Sequence, residues 1–283
     1  MINPIIDKQL KTYTLRNRDD EENALKEILQ EVALFALSTT DFFSKALFQG
    51  GTALRILHQL PQFSEDLDFI LKKPTKNFQW EKYIEQIKKA FSLYGIIPEI
   101  QDRTQAKTAV KKMFLKDKSI GKILNLNFHH HAHEKLLIKF EIDTNPPNSS
   151  NAEQKYLEFP TDYAIAAQDL PSNFAGKCHA LLCREYLKGR DWFDFLWYTA
   201  QKTTINFTFL KNAFDQNGPW EKQSAVFNKT WLINELKNKI VTIDWKKAAY
   251  EVESFVNIEQ IQSLKLWSDD LFLDRVLKLE KYL

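Results

Sequence analysis

Glycine, cysteine, long apolar runs and any surplus of one charge are all scarce in this 283-residue chain, and each shortage closes off a class of protein. No stretch approaches the roughly 18 to 20 consecutive apolar residues that a membrane-spanning helix needs. The first thirty residues carry Asp7, Asp19, Asp20, Glu21 and Glu22 where a secretory signal would be apolar. Seven glycines and nine prolines exclude a collagen-like or low-complexity chain. A balance of 39 Lys and Arg against 37 Asp and Glu gives a formal net charge of +2, so any pull on nucleic acid has to come from a local patch. The two cysteines, Cys178 and Cys183, lie five apart in a stretch that reads as helix, where their side chains do not face each other for a disulfide. These absences point to a soluble, cytoplasmic protein. What is plentiful is core-forming material: 44% hydrophobic residues fill one large domain or two ordinary ones.

The hydrophobic pattern sets out the elements in order. Arg18 to Phe48 reads as helix, with Leu25, Ile28, Leu29, Val32, Ala36 and Phe43 at spacings of three, four and seven, and with a break expected at Ser38–Asp41. Ala46–Gln49 then reads as a short strand, Gly50-Gly51 as a tight turn, and Ala53, Leu54, Leu57 and Leu60 as a helix ending before Pro61. Asp66 to Leu71 alternates, with Asp66 and Asp68 on one side and Leu67 and Phe69 on the other, which is strand periodicity with a polar face. Residues 80–94 make an amphipathic helix closed by Gly95. Strand-like runs follow at Ile97–Ile100, Ile120–Phe128 and Leu136–Ile142. In the last of these Leu137, Lys139, Glu141 and Asp143 share the polar face. Pro146–Asn151 is the best linker, which divides the chain into domains 1–147 and 148–283. Beyond it Tyr163–Leu170, Phe174–Leu187, Arg190–Gln201, Phe207–Asn217 and the stretch after Lys229 read as mostly helical, with no internal repeat.

One constellation carries chemistry. Asp66 and Asp68, two apart on a strand, sit about 7 Å apart at their backbones, where two negative charges repel by roughly 2 to 3 kcal/mol at an effective dielectric near 20. Glu141 on a later strand would add to that cost. A divalent cation removes it, and hard carboxylate oxygens suit Mg²⁺ better than zinc. Such a cluster can activate an attacking oxygen and stabilise a leaving one at phosphorus. The glycine turn before a helix is the complementary half, because backbone amides at a helix N-terminus cradle phosphate oxygens.

Gly50-Gly51-Thr52-Ala53-Leu54 followed by Ser64-Glu65-Asp66-Leu67-Asp68-Phe69 resembles the AbiEii/AbiGii toxin family of nucleotidyltransferases, a branch of the polymerase-beta-like superfamily. The resemblance implies an α+β fold, with a mixed sheet flanked by helices in the N-terminal catalytic domain and a mainly helical C-terminal domain. It implies metal binding by Asp66, Asp68 and Glu141, with Asp143 as the competitor for the third acid, and nucleotide binding by Gly50, Gly51, Thr52 and Ser64. In the helical half Ala175-Gly176-Lys177 with Arg184 looks like the family's lysine-bearing helix, and Arg190-Asp191-Trp192-Phe193-Asp194 like its Arg-Asp-x-x-Asp segment. Lys177 and Arg184 would then serve the nucleotide, and Lys177, Asp191 and Asp194 would complete the catalytic set in the cleft. The expected cofactor is Mg²⁺, with Mn²⁺ as the alternative, and the expected substrate a nucleoside triphosphate. An RNA acceptor, in particular the tRNA acceptor end, and an antitoxin encoded nearby are the implied partners of a type IV toxin–antitoxin or phage-defence system. The likeness runs from about residue 20 to about residue 200.

Plainer readings stand beside these. The same chemistry could act on a small hydroxyl compound or a protein hydroxyl, and a chain that has lost turnover would remain a nucleotide- or RNA-binding module. Asp191 and Asp194 could each simply pair with Arg190 or Arg184, and a helix lysine commonly extends into solvent. His129, His130, His131 and His133 read as a surface loop, since neighbours on an extended chain point alternately and cannot converge on one ion. Cys178 and Cys183 read as packing residues. Arg103, Lys107, Lys111, Lys112, Lys116, Lys118 and Lys122 form a basic run that is either a solvated face or a track for a phosphate backbone near Glu141.

Overall fold

The computed structural model describes residues 3–105, 108–117, 119, 126, 128, 136–221 and 227–283. They form two compact units. The first comprises residues 1–59, 63–146 and 152–167, and the second 60–62, 147–151 and 168–283.

The first unit is built on a seven-stranded mixed sheet in the order β3-β4-β5-β2-β1-β7-β6, with β1 Ala46–Gln49, β2 Asp66–Leu71, β3 Glu99–Asp102, β4 Val110–Asp117, β5 Leu136–Asp143, β6 Ala152–Leu157 and β7 Tyr163–Gln168. β2 runs antiparallel to β1 and parallel to β5, while β4 is antiparallel to both β3 and β5. Leu67 and Phe69 of β2, Ile138, Phe140 and Ile142 of β5, and Met113 and Leu115 of β4 are buried on one face. Helix α1 is Pro4–Leu10, and α2, Arg18–Ser38, starts where the Asn17 side chain accepts the Asp20 N–H at 2.8 Å. It stops where the Thr39 and Thr40 hydroxyls turn back onto the carbonyls of Ala36 and Leu37. After the single turn of α3, Phe42–Lys45, come α4, Gly50–His58, and α5, Glu81–Ser92. Phe42 gathers Phe69, Trp80 and Tyr83 around it with ring centroids 4.9 to 5.6 Å apart, the aromatic centre of this core.

The second unit is helical: α6 Leu170–Cys183, α7 Gly189–Ala200, α8 Phe207–Gln216, α9 Lys229–Ile240, α10 Trp245–Val252, α11 Ile258–Leu264 and α12 Asp269–Tyr282. Asp169 caps α6 by accepting the Ser172 N–H at 3.0 Å. Trp245 stacks on Phe272 at 3.8 Å, and Trp192 meets both edge-on. Gly189 opens α7 against α10 so closely that a Cβ there would fall onto the Ala248 carbonyl.

Most expected elements are present, and two readings are corrected. Tyr163–Gln168 is not helix but β7, a strand parallel to β1 with Phe48 opposite Ala167. Six residues whose Tyr163, Ile165, Ala166, Ala167 and Gln168 are all buried carry no alternation to separate strand from helix. The chain accordingly returns to the first unit over residues 152–167 after the Pro146–Asn151 segment. The basic run also contains a strand, β4, where no element was expected. The expected strand Ile120–Phe128, apart from Leu126 and Phe128, lies outside the described residues, as do the four histidines of the run and Lys107, Lys118 and Lys122.

Candidate active site

The turn from β1 into α4 brings glycine against carboxylate. Gly50 has φ of +80°, and a Cβ on it would lie 2.8 Å from Asp68 Oδ2, so conformation and space both require glycine. Gln49 makes no side-chain capping bond, and the positive end of the α4 dipole lies beside Asp68. Thr52 is fully buried, and its hydroxyl donates to the Asp66 carbonyl, fixing the first turn of α4 to the start of β2. The Ser64 carbonyl accepts the Gln30 amide at 3.0 Å, which holds the approach to β2 against α2.

The parallel register of β2 and β5 then sets Asp66 opposite Lys139 and Asp68 opposite Glu141. Paired positions project to the same sheet face, so Asp66, Asp68, Lys139 and Glu141 share one surface. Glu141 also faces Lys112 of β4, whose ammonium is 2.8 Å from its carboxylate. Lys139 Nζ lies 3.0 Å from Glu141 Oε1 and 3.2 Å from Asp66 Oδ2, placing one ammonium between two of the three acids. Burial pushes the Glu141 carboxyl up, but Lys112 and Lys139 outweigh it and hold the group below the usual carboxylate range. Asp143 differs. It lies opposite buried Ile70, accepts the Asn145 N–H at 2.9 Å, and is pushed up by burial. The register therefore favours Glu141 as the partner of the Asp66–Asp68 pair.

Among the described residues no three His, Cys, Asp or Glu side chains come together closely enough to hold a metal ion. The donor set nonetheless suits a hard divalent cation: oxygen-only acids on adjacent strands, with a cationic nitrogen already bridging Asp66 and Glu141. The sequence places Lys112 only in the basic run near Glu141 and Lys139 only on the polar face that Glu141 shares; their ion pairs with the acids come from the strand register.

The second unit holds its own charged cluster. Lys177 Nζ of α6 lies 2.6 Å from Asp191 Oδ1 and 2.7 Å from Asp194 Oδ2 of α7, with the side chains only 12, 4 and 2% exposed. Arg184 takes the other Asp191 oxygen. Burial opposes the charge on Lys177, but the two carboxylates prevail and raise its pKa. Burial likewise pushes up on Asp191, where Lys177 and Arg184 prevail and lower its pKa; at Asp194 burial dominates and the pKa is raised. Asp194 Oδ1 is buried without a hydrogen-bond partner among the described residues. Arg190 reaches Glu251 at 3.9 Å and lies over the Phe255 ring. Cys178 is buried and Cys183 partly so, both as free thiols.

A mixed sheet carrying Asp-x-Asp beside an acid of the parallel neighbour, with a glycine-led helix N-terminus against it, is the framework of a nucleotidyltransferase. The profile of the family described as nucleotidyl transferase AbiEii toxin, type IV toxin–antitoxin system, matches residues 32–270, and the chain belongs to that family. It is a nucleotidyltransferase of the toxin kind. Among solved structures it is similar in fold to MenT4, a nucleotidyltransferase toxin from Mycobacterium tuberculosis, with TM-score 0.51 and 12% identity over 99% of each chain. It is also similar to JHP933 from Helicobacter pylori, with TM-score 0.48 and 18% identity over 93% of this chain and 90% of that one. No curated protein matches it in sequence. Among the described residues no helix is long and apolar enough to cross a membrane.

Proposed function

We propose that the protein transfers a nucleotidyl group from a nucleoside triphosphate to an RNA hydroxyl, the tRNA acceptor end first among candidates, as the toxin of a type IV toxin–antitoxin or phage-defence pair controlled by a cognate antitoxin. The observation that carries the reading is the register of Asp68 against Glu141, with Gly50 packed on the Asp68 carboxylate. Asp66, Asp68 and Glu141 would hold Mg²⁺. That ion, when bound, supplies positive charge to the phosphoryl oxygens at the point of displacement. The acceptor oxygen forms a bond to the α-phosphorus as the bond to pyrophosphate breaks, and the hydroxyl proton passes to a carboxylate, for which Asp191 and Asp194 are the assigned candidates. Gly50, Gly51, Thr52 and Ser64 are assigned to the phosphate side, with Thr52 acting by anchoring α4. Lys177 and Arg184 are assigned to charge on the triphosphate as pyrophosphate leaves. The lysines of β4, Lys112 among them, give an RNA backbone a basic margin beside Glu141.

The test is label transfer from each α-labelled nucleoside triphosphate to total tRNA with Mg²⁺, using Asp66→Asn and Asp68→Asn as controls. Label in tRNA that falls about a thousandfold in both variants establishes the reaction and names the nucleotide. Label appearing instead on a protein or a small hydroxyl compound overturns the RNA acceptor, and nucleotide that binds without turnover overturns the transferase reading.

A further inference from the structure

A cavity of about 320 Å³ opens within the helical unit, between the end of α6, the start of α7 and the α9–α10 junction. Its wall carries Arg184, Lys188, Lys239 and Lys247, cations contributed from four places in the chain. Arg184 is offset by Asp191, which leaves the three lysines without a carboxylate at ion-pair distance among the described residues. Asp191 is committed to Lys177 and Arg184, Asp244 caps α10 by accepting the Lys247 N–H at 3.1 Å, and Glu185 is exposed at the rim. Lys239 Nζ donates to the Arg184 carbonyl at 3.2 Å, which fixes one ammonium in the wall. Lys188 is half-buried, and its ammonium makes no hydrogen bond or ion pair among the described residues. Burial holds its pKa down, the attraction of Asp191 being opposed by Lys177, Arg184 and Arg190. Lys188 also occupies the N-cap of α7, whose first N–H, that of Gly189, donates to the Glu251 carboxylate at 2.5 Å. At the mouth Tyr186 is 65% exposed, with the Arg184 guanidinium 5.6 Å from its ring centre.

A half-buried ammonium with no ion pair of its own and other cations beside it is an arrangement that an anion stabilises. An exposed aromatic at the edge of such a basin is a platform for a base. We propose that this cavity binds phosphate groups, with Lys188, Lys239 and Lys247 as ligands additional to Arg184 and Tyr186 as the stacking surface for the attached nucleotide. Two sources share that chemistry, the triphosphate of the nucleotide substrate and the backbone of the RNA acceptor, and this assignment of source rests on the transferase reading.

The experiment uses the full chain and the variant carrying both Lys188→Met and Lys247→Met, since among the described residues neither ammonium makes an ion pair whose loss would unsettle the fold. Lys246→Met, an exposed lysine outside the cavity, is the control. The probes are inorganic tripolyphosphate, a single-stranded RNA with a free 3′ hydroxyl, and an α,β-methylene nucleoside triphosphate, each titrated by calorimetry after thermal melting has established equal folding. The expected result is tripolyphosphate affinity at least tenfold weaker in the double variant and unchanged in Lys246→Met. A matching loss for RNA, with the salt slope reduced by about 1.4, assigns the backbone as source, and a matching loss for the nucleotide analogue alone assigns the triphosphate. Tripolyphosphate that does not bind, or that binds the double variant as it binds the unaltered protein, overturns the cavity. If label transfer fails while tripolyphosphate binding is lost in the double variant, the transferase reading falls and the cavity stands.

Discussion

The Lys139 ammonium lies between Asp66 and Glu141 and shares Glu141 with Lys112. Replacing it by methionine leaves Glu141 with Lys112 alone, so the Glu141 pKa rises toward the ordinary carboxylate range. The sign follows. A carboxyl held low in the folded protein contributes stability above its unfolded pKa and loses it as pH falls through the folded value, so Lys139→Met moves the onset of acid unfolding to higher pH. At pH 7 the cost is at most about 1 kcal/mol, because the pair is partly solvated. Added Mg²⁺ should raise the melting temperature of Lys139→Met more than that of the unaltered protein, since only Lys112 then competes, and for Glu141 alone; equal shifts would remove Lys139 from this role. Glu31 presents the opposite sign. It is buried one turn from Glu27, which takes Arg55 at 2.6 Å and the Tyr13 hydroxyl at 3.0 Å, and Glu31 is pushed up to about 8, chiefly by burial. A raised carboxyl contributes stability below its unfolded pKa that is lost as pH climbs through the folded value. Glu31→Gln should therefore melt with the unaltered protein at pH 5 and above it at pH 8.5, and coincidence at both values would show that Glu31 does not titrate in that window. Asp66 and Asp68 were legible in the sequence because a two-residue period fixes which side chains share a face. Lys139 was legible by the same period and overlooked because a lysine among acids reads as solvent-facing, whereas the long-range match of β5 to β2 that gives it two partners is not written in local spacing.

Helices α6 and α7 are joined through three charges buried together, Lys177, Asp191 and Asp194. Lys177→Ala would leave Asp194 without its ion pair and Asp191 with Arg184 as its paired cation, Lys188 acting on both only from further off, a loss of roughly 3 to 5 kcal/mol, because a buried carboxylate that has lost its partner costs far more than the pair contributed. Adding Asp194→Asn to that variant should return part of the loss, measured by urea unfolding. If the single variant unfolds at the same urea concentration as the unaltered protein, the cluster is not structural, and any loss of transfer in Lys177→Ala is chemical. Elements with strong local signals were readable: β2 from its alternation, α4 from the glycines before it and Pro61 after it, and α6 from its periodicity. β7 was not, since a strand buried along almost its whole length and rich in alanine has no period to betray it. β4 was hidden for a different reason. Its lysines suppress the hydrophobic signal while Met113 and Leu115 alone mark the core face.

The whole chain is not divided where its composition changes. Pro146–Asn151 has the prolines and small polar residues of a linker, yet β6 and β7 follow it and close the β1 side of the first unit's sheet. β1 has only four residues, and its Phe48 is fully buried with Ala167 of β7 as its neighbour across the ladder. Ending the chain at residue 147 removes that neighbour and bares an edge with unpaired backbone groups and an apolar face, which invites pairing with other chains. Ending it at residue 168 keeps all seven strands. The fragment 1–168 should accordingly melt more cooperatively and sediment with less aggregate than the fragment 1–147, by circular dichroism and analytical ultracentrifugation at matched concentration. Identical melts and identical sedimentation would mean that β6 and β7 add nothing to the first unit. That outcome would return the boundary to the prolines; the expected one places the last structural requirement of the acidic face about twenty residues beyond the point where the sequence changes character.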